Sequence, residues 1–276
     1  KDATHLAVPG KLAGTDFTNS ILIGHATTGT LDAAEKNTGV GIDALNSITS
    51  GDRITAVGYN AGTSITTGNA STFIGQGAGK TFSTASSNTG VGDSSLFTSN
   101  ASSNTGIGQN SGYHLTGAEN TAVGASALQS SAGAGSGARN TAIGQAAGTA
   151  ITSGNNNIFL GQDGGKNITT GSGNVIIGIT DATAADSART LKITGNDGST
   201  STTWISGDSS GNLTFAANTT IGGNLIIGSA TVTEAQLEVL DGATITTTEL
   251  NLIDGGTSAG TTAVADADGI ITNDGG

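Results

Sequence analysis

The sequence predicts an all-β chain wound as a parallel β-roll or β-solenoid, on three observations. A short pattern closing on Gly recurs down the first two thirds of the chain at intervals near 17 residues. The residue before each closing Gly is aliphatic in every copy. Composition leaves little for one large globular core: of 276 residues 46 are Gly, 34% are hydrophobic and 3% aromatic. Only 11% are charged, against about 25% in typical domains.

Residues 1–18 read as a lead-in, and the β-roll repeats occupy 19–181. The clear copies are Asn37-Thr38-Gly39-Val40-Gly41, Asn88-Thr89-Gly90-Val91-Gly92, Asn104-Thr105-Gly106-Ile107-Gly108, Asn120-Thr121-Ala122-Val123-Gly124 and Asn140-Thr141-Ala142-Ile143-Gly144. Weaker copies close at Gly24, Gly58, Gly75, Gly161 and Gly178. The ten glycines are spaced 17, 17, 17, 17, 16, 16, 20, 17 and 17 residues apart. The longest interval holds the insertion-like run Ser131-Ala132-Gly133-Ala134-Gly135-Ser136-Gly137. A fixed period of this kind is the signature of stacked rungs. At the inter-strand spacing of about 4.8 Å, nine intervals give a stack of roughly 43 Å.

Each column of the repeat predicts a role. Ile23, Val40, Val57, Ile74, Val91, Ile107, Val123, Ile143, Leu160 and Ile177 precede the closing glycines and are expected to point into a narrow interior. Replacing Val123 with Asp should then place an unpaired charge inside the roll. A second apolar column follows seven residues after the Gly, at Leu31, Ile48, Ile65, Phe82, Leu115, Ile151 and Ile168, with Leu96 and Leu128 serving the rungs that lack it. Each rung is therefore read as two short strands, with the Gly allowing positive φ or close backbone approach. Poor helix formers and the lack of a 3.6 period argue against helices here. Asn37, Asn88, Asn104, Asn120, Asn140, Asn157 and Asn174 share the column four before the Gly, and are read as a structural ladder of amides bonded rung to rung rather than as ligand contacts. The column two before the Gly, with Gly39, Ala56, Gly90, Gly106, Ala122 and Ala142 among its members, is out of phase with the aliphatic column. It is expected to form a smooth outer face on which copies pack as a trimer, because one thin roll buries little.

Charge removes several function classes. Nine basic against 21 acidic residues give a net charge of −12, with no basic cluster for nucleic acid or anionic lipid. No apolar run is long enough to span a membrane as a helix. Without Cys there is no disulfide framework, thiolate nucleophile or Cys-ligated metal. The chain starts without Met and stops at Asp274-Gly275-Gly276 with no evident closing element, so a fragment of something longer is expected.

The Asn-Thr-Ala-Val-Gly ladder, followed by Ala44-Leu45, Ala61-Gly62, Ala127-Leu128 or Ala147-Gly148, resembles the head repeat of trimeric autotransporter adhesins. The same repeat type occurs in bacteriophage tail-fibre-like proteins. The resemblance covers roughly residues 19–180 and implies a homotrimer of left-handed parallel β-rolls.

Residues 182–229 are expected to form a β-rich connector. Its alternating strands are Thr190-Leu191-Lys192-Ile193-Thr194, Gly211-Asn212-Leu213-Thr214-Phe215 and the run from Gly222 to Gly228, with Trp204 plugging a junction or the trimer axis. In 230–276 a second repeat pairs Thr233–Gly242 with Thr246–Gly255 at an offset of 13. Each copy opens on a capping box and closes on a C-cap Gly, which predicts two short helices. This element resembles repeats in fibre or structural proteins of tailed marine phages, cyanophages especially.

No enzyme is expected. Gly75-Gln76-Gly77-Ala78-Gly79-Lys80-Thr81 has a phosphate-loop look, but Ile74 stands where that motif needs Gly. His5, His25 and His114 lack metal-ligand spacing, and Asp266-Ala267-Asp268-Gly269 lacks the remaining ligands of a calcium loop. No cofactor or metal is implied. The sequons at Asn69, Asn100, Asn167, Asn212 and Asn218 carry no weight without a secretory eukaryotic setting.

The expected function is that of a structural fibre of a tailed phage, a virion component that self-assembles as a homotrimer. It would contact other fibre proteins and attach to a host-surface glycan or other receptor. The alternative is the head of a bacterial surface adhesin. Ice binding through Thr38, Thr55, Thr72, Thr89, Thr105, Thr121 and Thr141 is set aside, because those residues share the phase of the column expected to be buried.

Overall fold

A computed structural model describes residues 9–130 and 135–220, with the backbone of 225–227 and 230–232. Among these residues the chain is all-β, without helix. The strands are β1 (Gly10–Gly14), β2 (Phe17–Ile23), β3 (Ala34–Glu35), β4 (Thr38–Val40), β5 (Thr55–Val57), β6 (Thr72–Ile74), β7 (Thr89–Val91), β8 (Thr105–Ile107) and β9 (Thr121–Val123). They continue as β10 (Thr141–Ile143), β11 (Ile158–Leu160), β12 (Val175–Ile177), β13 (Leu191–Asn196), β14 (Ser201–Gly207), β15 (Leu213–Phe215), β16 (Leu225–Ile227) and β17 (Ala230–Val232). The first 218 residues belong to one compact unit and residues from Thr219 onward to another. In the second, β16 and β17 form an antiparallel pair. The two short helices read from the sequence fall outside the described residues.

In the first unit β2 and β4 to β12 stack as a parallel ladder with like residues opposite one another, Thr38 on Thr55 and Val40 on Val57 for example. The chain is a parallel β-solenoid of about ten turns. From β5 to β12 each rung contributes one three-residue strand rather than two. The segment from the closing Gly to the second apolar column is a succession of turns, with left-handed residues such as Asp43, Leu45, Asn60 and Gly62. Nor does the parallel stack stop at Gly178: β13 adds to β12 in parallel, Ile177 opposite Ile193. Antiparallel pairs close both ends, β1 on β2 and then β14 and β15 beyond β13.

The closing glycines combine two demands on one position. Gly58 has φ +136°, and a Cβ there would run into the backbone of Gly75 in the next rung. Its N–H donates to the carbonyl of Val40 at 2.8 Å, and Gly75 repeats this to Val57. Only Gly combines positive φ with such close approach.

The core lies between the strands and the turns opposite. Leu22, Ala56, Phe73, Ala122, Ala142, Phe159 and Ile176, two residues before the closing Gly, are at most 1% exposed. The expectation for this column was the reverse. Facing them are Leu45, Leu96 and Leu128 together with Ile48, Ile65, Phe82, Leu115, Ile151 and Ile168, all buried; Leu31 is partly buried against them. Bulk on one wall meets its absence on the other. The Phe73 ring occupies the space a side chain at Gly79 would need, and Phe159 does the same at Gly148 and Gly165. Close packing is reached by alternating large and small residues across facing walls.

Among the described residues one rung breaks the pattern. Ser99 stands in the second apolar column, buried, and its hydroxyl has no hydrogen-bond partner. An unpaired buried hydroxyl costs about 1 kcal/mol or more. Ser99→Ala is therefore expected to raise stability by about 1 kcal/mol, read as an upward shift of the thermal midpoint.

The Asn column runs inside the roll, and every member is fully buried. The Oδ1 of Asn104 accepts the N–H of Asn120 at 2.9 Å, and that of Asn120 accepts the N–H of Asn140 at 2.9 Å. The Nδ2 groups donate back to the same oxygens and to turn carbonyls, as Asn140 does to Gly154 at 2.9 Å. Ser20, Ile54 and Ser71 take the position in other rungs, and the two hydroxyls accept from Asn37 and Asn88. The column ends at Thr190, whose N–H and hydroxyl both donate to Asn174.

Candidate interaction surface

Side chains alternate along a strand. Because the Asn column and the column two before the Gly both point inward, the Thr and aliphatic columns point outward. Ile74, Ile107 and Ile143 are 41%, 42% and 45% exposed, while Ala122 and Ala142 are at 0%. The ladder Ile23, Val40, Val57, Ile74, Val91, Ile107, Val123, Ile143, Leu160 and Ile177 is thus the outer surface of the sheet, half-buried to exposed, and its expected inward placement is corrected. The three-residue strand is short enough that either phase buries an apolar column. The inner phase wins because it also buries the amides where they can bond one another.

This outer surface continues past the repeats. Residues opposite one another share a face, so Val175 and Ile177 lead to Leu191 and Ile193. These lead to Gly207 and Ile205, and then to Leu213 and Phe215. At the other end Leu12 lies opposite Ile21. A β-bulge in the β13–β14 pair leaves Trp204 without a partner on β13. A Cβ on Gly195, which shares the phase of Ile193, would meet the Trp204 ring, so that ring also lies on the outer face. Trp204 is 56% exposed and plugs no junction within the described unit. Nine of the twelve exposed large hydrophobic residues among those described lie on this face, and the other three, Ile42, Tyr59 and Ile179, directly follow closing glycines. No charged side chain interrupts its Thr and aliphatic columns from β2 to β12.

Both margins of this strip are mixed in charge. Five residues before the closing Gly, in left-handed turns, stand Lys36, Arg53, Glu119 and Arg139, with Arg189 at the matching place on the β13 rung; Glu35 and Asp52 directly precede the first two, and Lys36 pairs with Glu35 at 2.8 Å and Arg139 with Glu119 at 3.9 Å. Beyond the closing Gly stand Asp43, Asp93 and Asp163, the last with Lys166 Nζ at 4.0 Å.

The opposite, turn-built side is polar except for one cluster. Phe97 and Tyr113 occupy equivalent places in successive rungs and stack with centroids 4.9 Å apart at 7°. Lys80, one rung earlier, places its Nζ 5.1 Å from the Phe97 centroid, and His114 meets Tyr113 edge-on at 4.5 Å. The Thr98 hydroxyl donates to the Tyr113 carbonyl at 2.7 Å, so the 2.6 Å contact with His114 Nδ1 has the imidazole as donor. Sequence reasoning passed over this cluster. Its only trace there is Lys80, Phe97 and Tyr113 falling one period apart.

Among the described residues no three His, Asp, Glu or Cys side chains come together to hold a metal. His25 receives the N–H of Thr27 on Nδ1, so its Nε2–H donates to the Ala44 carbonyl at 2.6 Å. The Gly75 to Thr81 segment is an ordinary rung of the solenoid, and Lys80 is engaged over Phe97. Three exposed carboxylates are held below their ordinary range by local partners: Asp197 first by the Thr200 N–H, Asp208 first by the Asn212 amide, and Glu35 first by its hydrogen bond from Lys36. All three are turn or surface interactions. His5 and the Asp266 to Gly269 segment lie outside the described residues.

Comparison with known proteins leaves the chain on its own terms: no family model, curated protein or solved structure matches it.

Proposed function

We propose that this chain is a segment of a tailed-bacteriophage fibre, a non-enzymatic virion component that assembles as an elongated homotrimer and takes part in host attachment. The observation that carries the reading is the long uncharged strip on one side of a regular solenoid. A stack of identical rungs is a spacer whose length is set by rung number, and an exposed apolar strip of this extent needs a covering partner. The resemblance of the repeats, and of the C-terminal element with Thr246-Thr247-Thr248-Glu249-Leu250-Asn251-Leu252-Ile253-Asp254-Gly255, favours a phage over a bacterial surface adhesin. In such a trimer the turn-built side, with Lys80, Phe97, Tyr113 and His114, faces outward, where a glycan receptor could reach it. Sedimentation equilibrium at micromolar concentration is expected to give three times 26.6 kDa, and antibodies against the chain should decorate the tail fibres of intact particles. A stable folded monomer would sink the trimeric fibre.

One observation favours a second reading. The seven Thr residues from Thr38 to Thr141 point outward in register, so the objection to an ice-binding array no longer holds. A monomer with thermal hysteresis would support that reading over the fibre.

A further inference from the structure

We infer that the cleft beside Trp204 binds a neutral sugar ring, its C–H face stacked on the indole and its hydroxyls bonded to Asp197, Thr200 and Thr202. The inference goes beyond the fibre reading and needs no trimer. β13 runs three residues past its last partner on β12, where Ile177 lies opposite Ile193, so Gly195 stands beyond the last column of the strip. Thr202 lies opposite it on β14. A Cβ on Gly195 would meet Cζ2, Cη2 and Cε2 of the indole together, which lays one face of the ring over the glycine. The other face is left to solvent: Trp204 is more than half exposed, and no aromatic ring or cation among the described residues covers it. Phe97 and Tyr113, by contrast, cover a face of each other.

Gly195, Asn196, Asp197, Thr200, Thr202 and Trp204 line a cleft of about 340 Å³, at the small end of the about 300–1,000 Å³ of ligand clefts. The wall facing the indole is a turn fixed before any ligand arrives. Asp197 Oδ1 accepts the N–H groups of Ser199 at 2.9 Å and Thr200 at 2.7 Å, and Asn196 Oδ1 accepts that of Gly198 at 2.7 Å. Asp197 Oδ2 and the hydroxyls of Thr200 and Thr202 have no partner among the described residues, so each is free to bond a ligand hydroxyl without reordering the turn. A pyranose matches both walls. The C–H groups of one face meet the negative π-face of the indole, and its rim of hydroxyls donates and accepts. No cation lines the cleft, and Asp197 in a chain of net charge −12 repels carboxylates and phosphates. Neutral sugars are therefore favoured over acidic sugars and nucleotides.

Trp204 is the only Trp of the chain, so its fluorescence reports this cleft alone. Titrating the full chain with methyl β-D-glucopyranoside and methyl β-D-galactopyranoside should change the emission saturably for at least one of them, with an affinity on the order of millimolar for so few contacts. Glucuronic acid and adenosine monophosphate should bind at least about tenfold more weakly. Trp204→Ala, followed by saturation-transfer nuclear magnetic resonance because it lacks the fluorophore, should weaken binding about tenfold or more. Thr202→Val keeps the indole and the shape of the cleft and should weaken it about threefold or more. Tyr59→Ala, which removes a comparably exposed ring elsewhere, should leave binding unchanged, and circular dichroism checks the folding of each variant. No saturable response up to about 100 mM, roughly a hundredfold above the expected affinity, overturns the inference. So does binding that survives Trp204→Ala and Thr202→Val, or a preference for the charged ligands. None of these outcomes touches the fibre reading, which the mass and the decoration of particles decide.

Discussion

Ala122→Asp is expected to unfold the solenoid, whereas Val123→Asp, one residue along, leaves it folded. Ala122 is fully buried between Ala142 and Gly106 of adjacent rungs, with no cation among the core residues around it. A carboxylate there must be desolvated without a partner or take up a proton, at several kcal/mol either way. That is a large share of the roughly 5–15 kcal/mol by which native domains are stable. Val123 points to the outer face, where the same carboxylate stays hydrated and the change in roll stability is about 1 kcal/mol or less. Its effect should appear in association. Thermal unfolding by circular dichroism separates the two variants, and a low midpoint for Val123→Asp with a native one for Ala122→Asp would reverse the assigned phase.

Asn120→Leu should be the next most damaging change. The side chain keeps the same number of heavy atoms and the same branching, with bulkier methyl groups, so what it loses is hydrogen bonding. Asn120 Oδ1 accepts the N–H of Asn140 at 2.9 Å and its Nδ2 at 3.2 Å, while Asn120 Nδ2 donates to the carbonyls of Gly117 and Gly137 at 3.0 Å. Leucine leaves the buried N–H of Asn140 without that acceptor and both carbonyls without that donor. At about 1–3 kcal/mol for each buried group left unsatisfied, the cost is about 3 kcal/mol or more. Urea unfolding would measure it, and a variant within 1 kcal/mol of wild type would show water taking over the ladder.

The period of the fold was legible because spacing survives any error about direction. Its phase was not. Ile and Val in the column before the Gly look like core, yet β-branched residues suit a half-exposed strand as well as a buried one. The Gly residues of the next column look like surface, yet they are small because Leu22, Leu45, Phe73 and Leu96 fill the same narrow space from neighbouring positions. A clue was available in parity. The Asn ladder requires an interior in which to bond, and Ala122 shares the phase of Asn120. The extension of the strip across β13 to β15 was less accessible, because a bulge that turns Trp204 outward depends on strand pairing rather than on any local pattern. Neither could the cluster around Tyr113 be weighed until the turns placed Lys80, Phe97 and Tyr113 one above another.

The amide column has one gap. From Ser20 to Thr190 each rung offers its neighbour a side-chain oxygen in this column except at Ile54, which has none to offer Ser71. The rungs on either side of the gap are still joined outside the column, where the Asp52 N–H donates to Asn69 Oδ1 at 2.7 Å and the Thr66 hydroxyl donates to the Ser83 carbonyl at 3.2 Å. The stack is fastened along several parallel lines, so one missing amide does not make that junction a seam at which the rod comes apart.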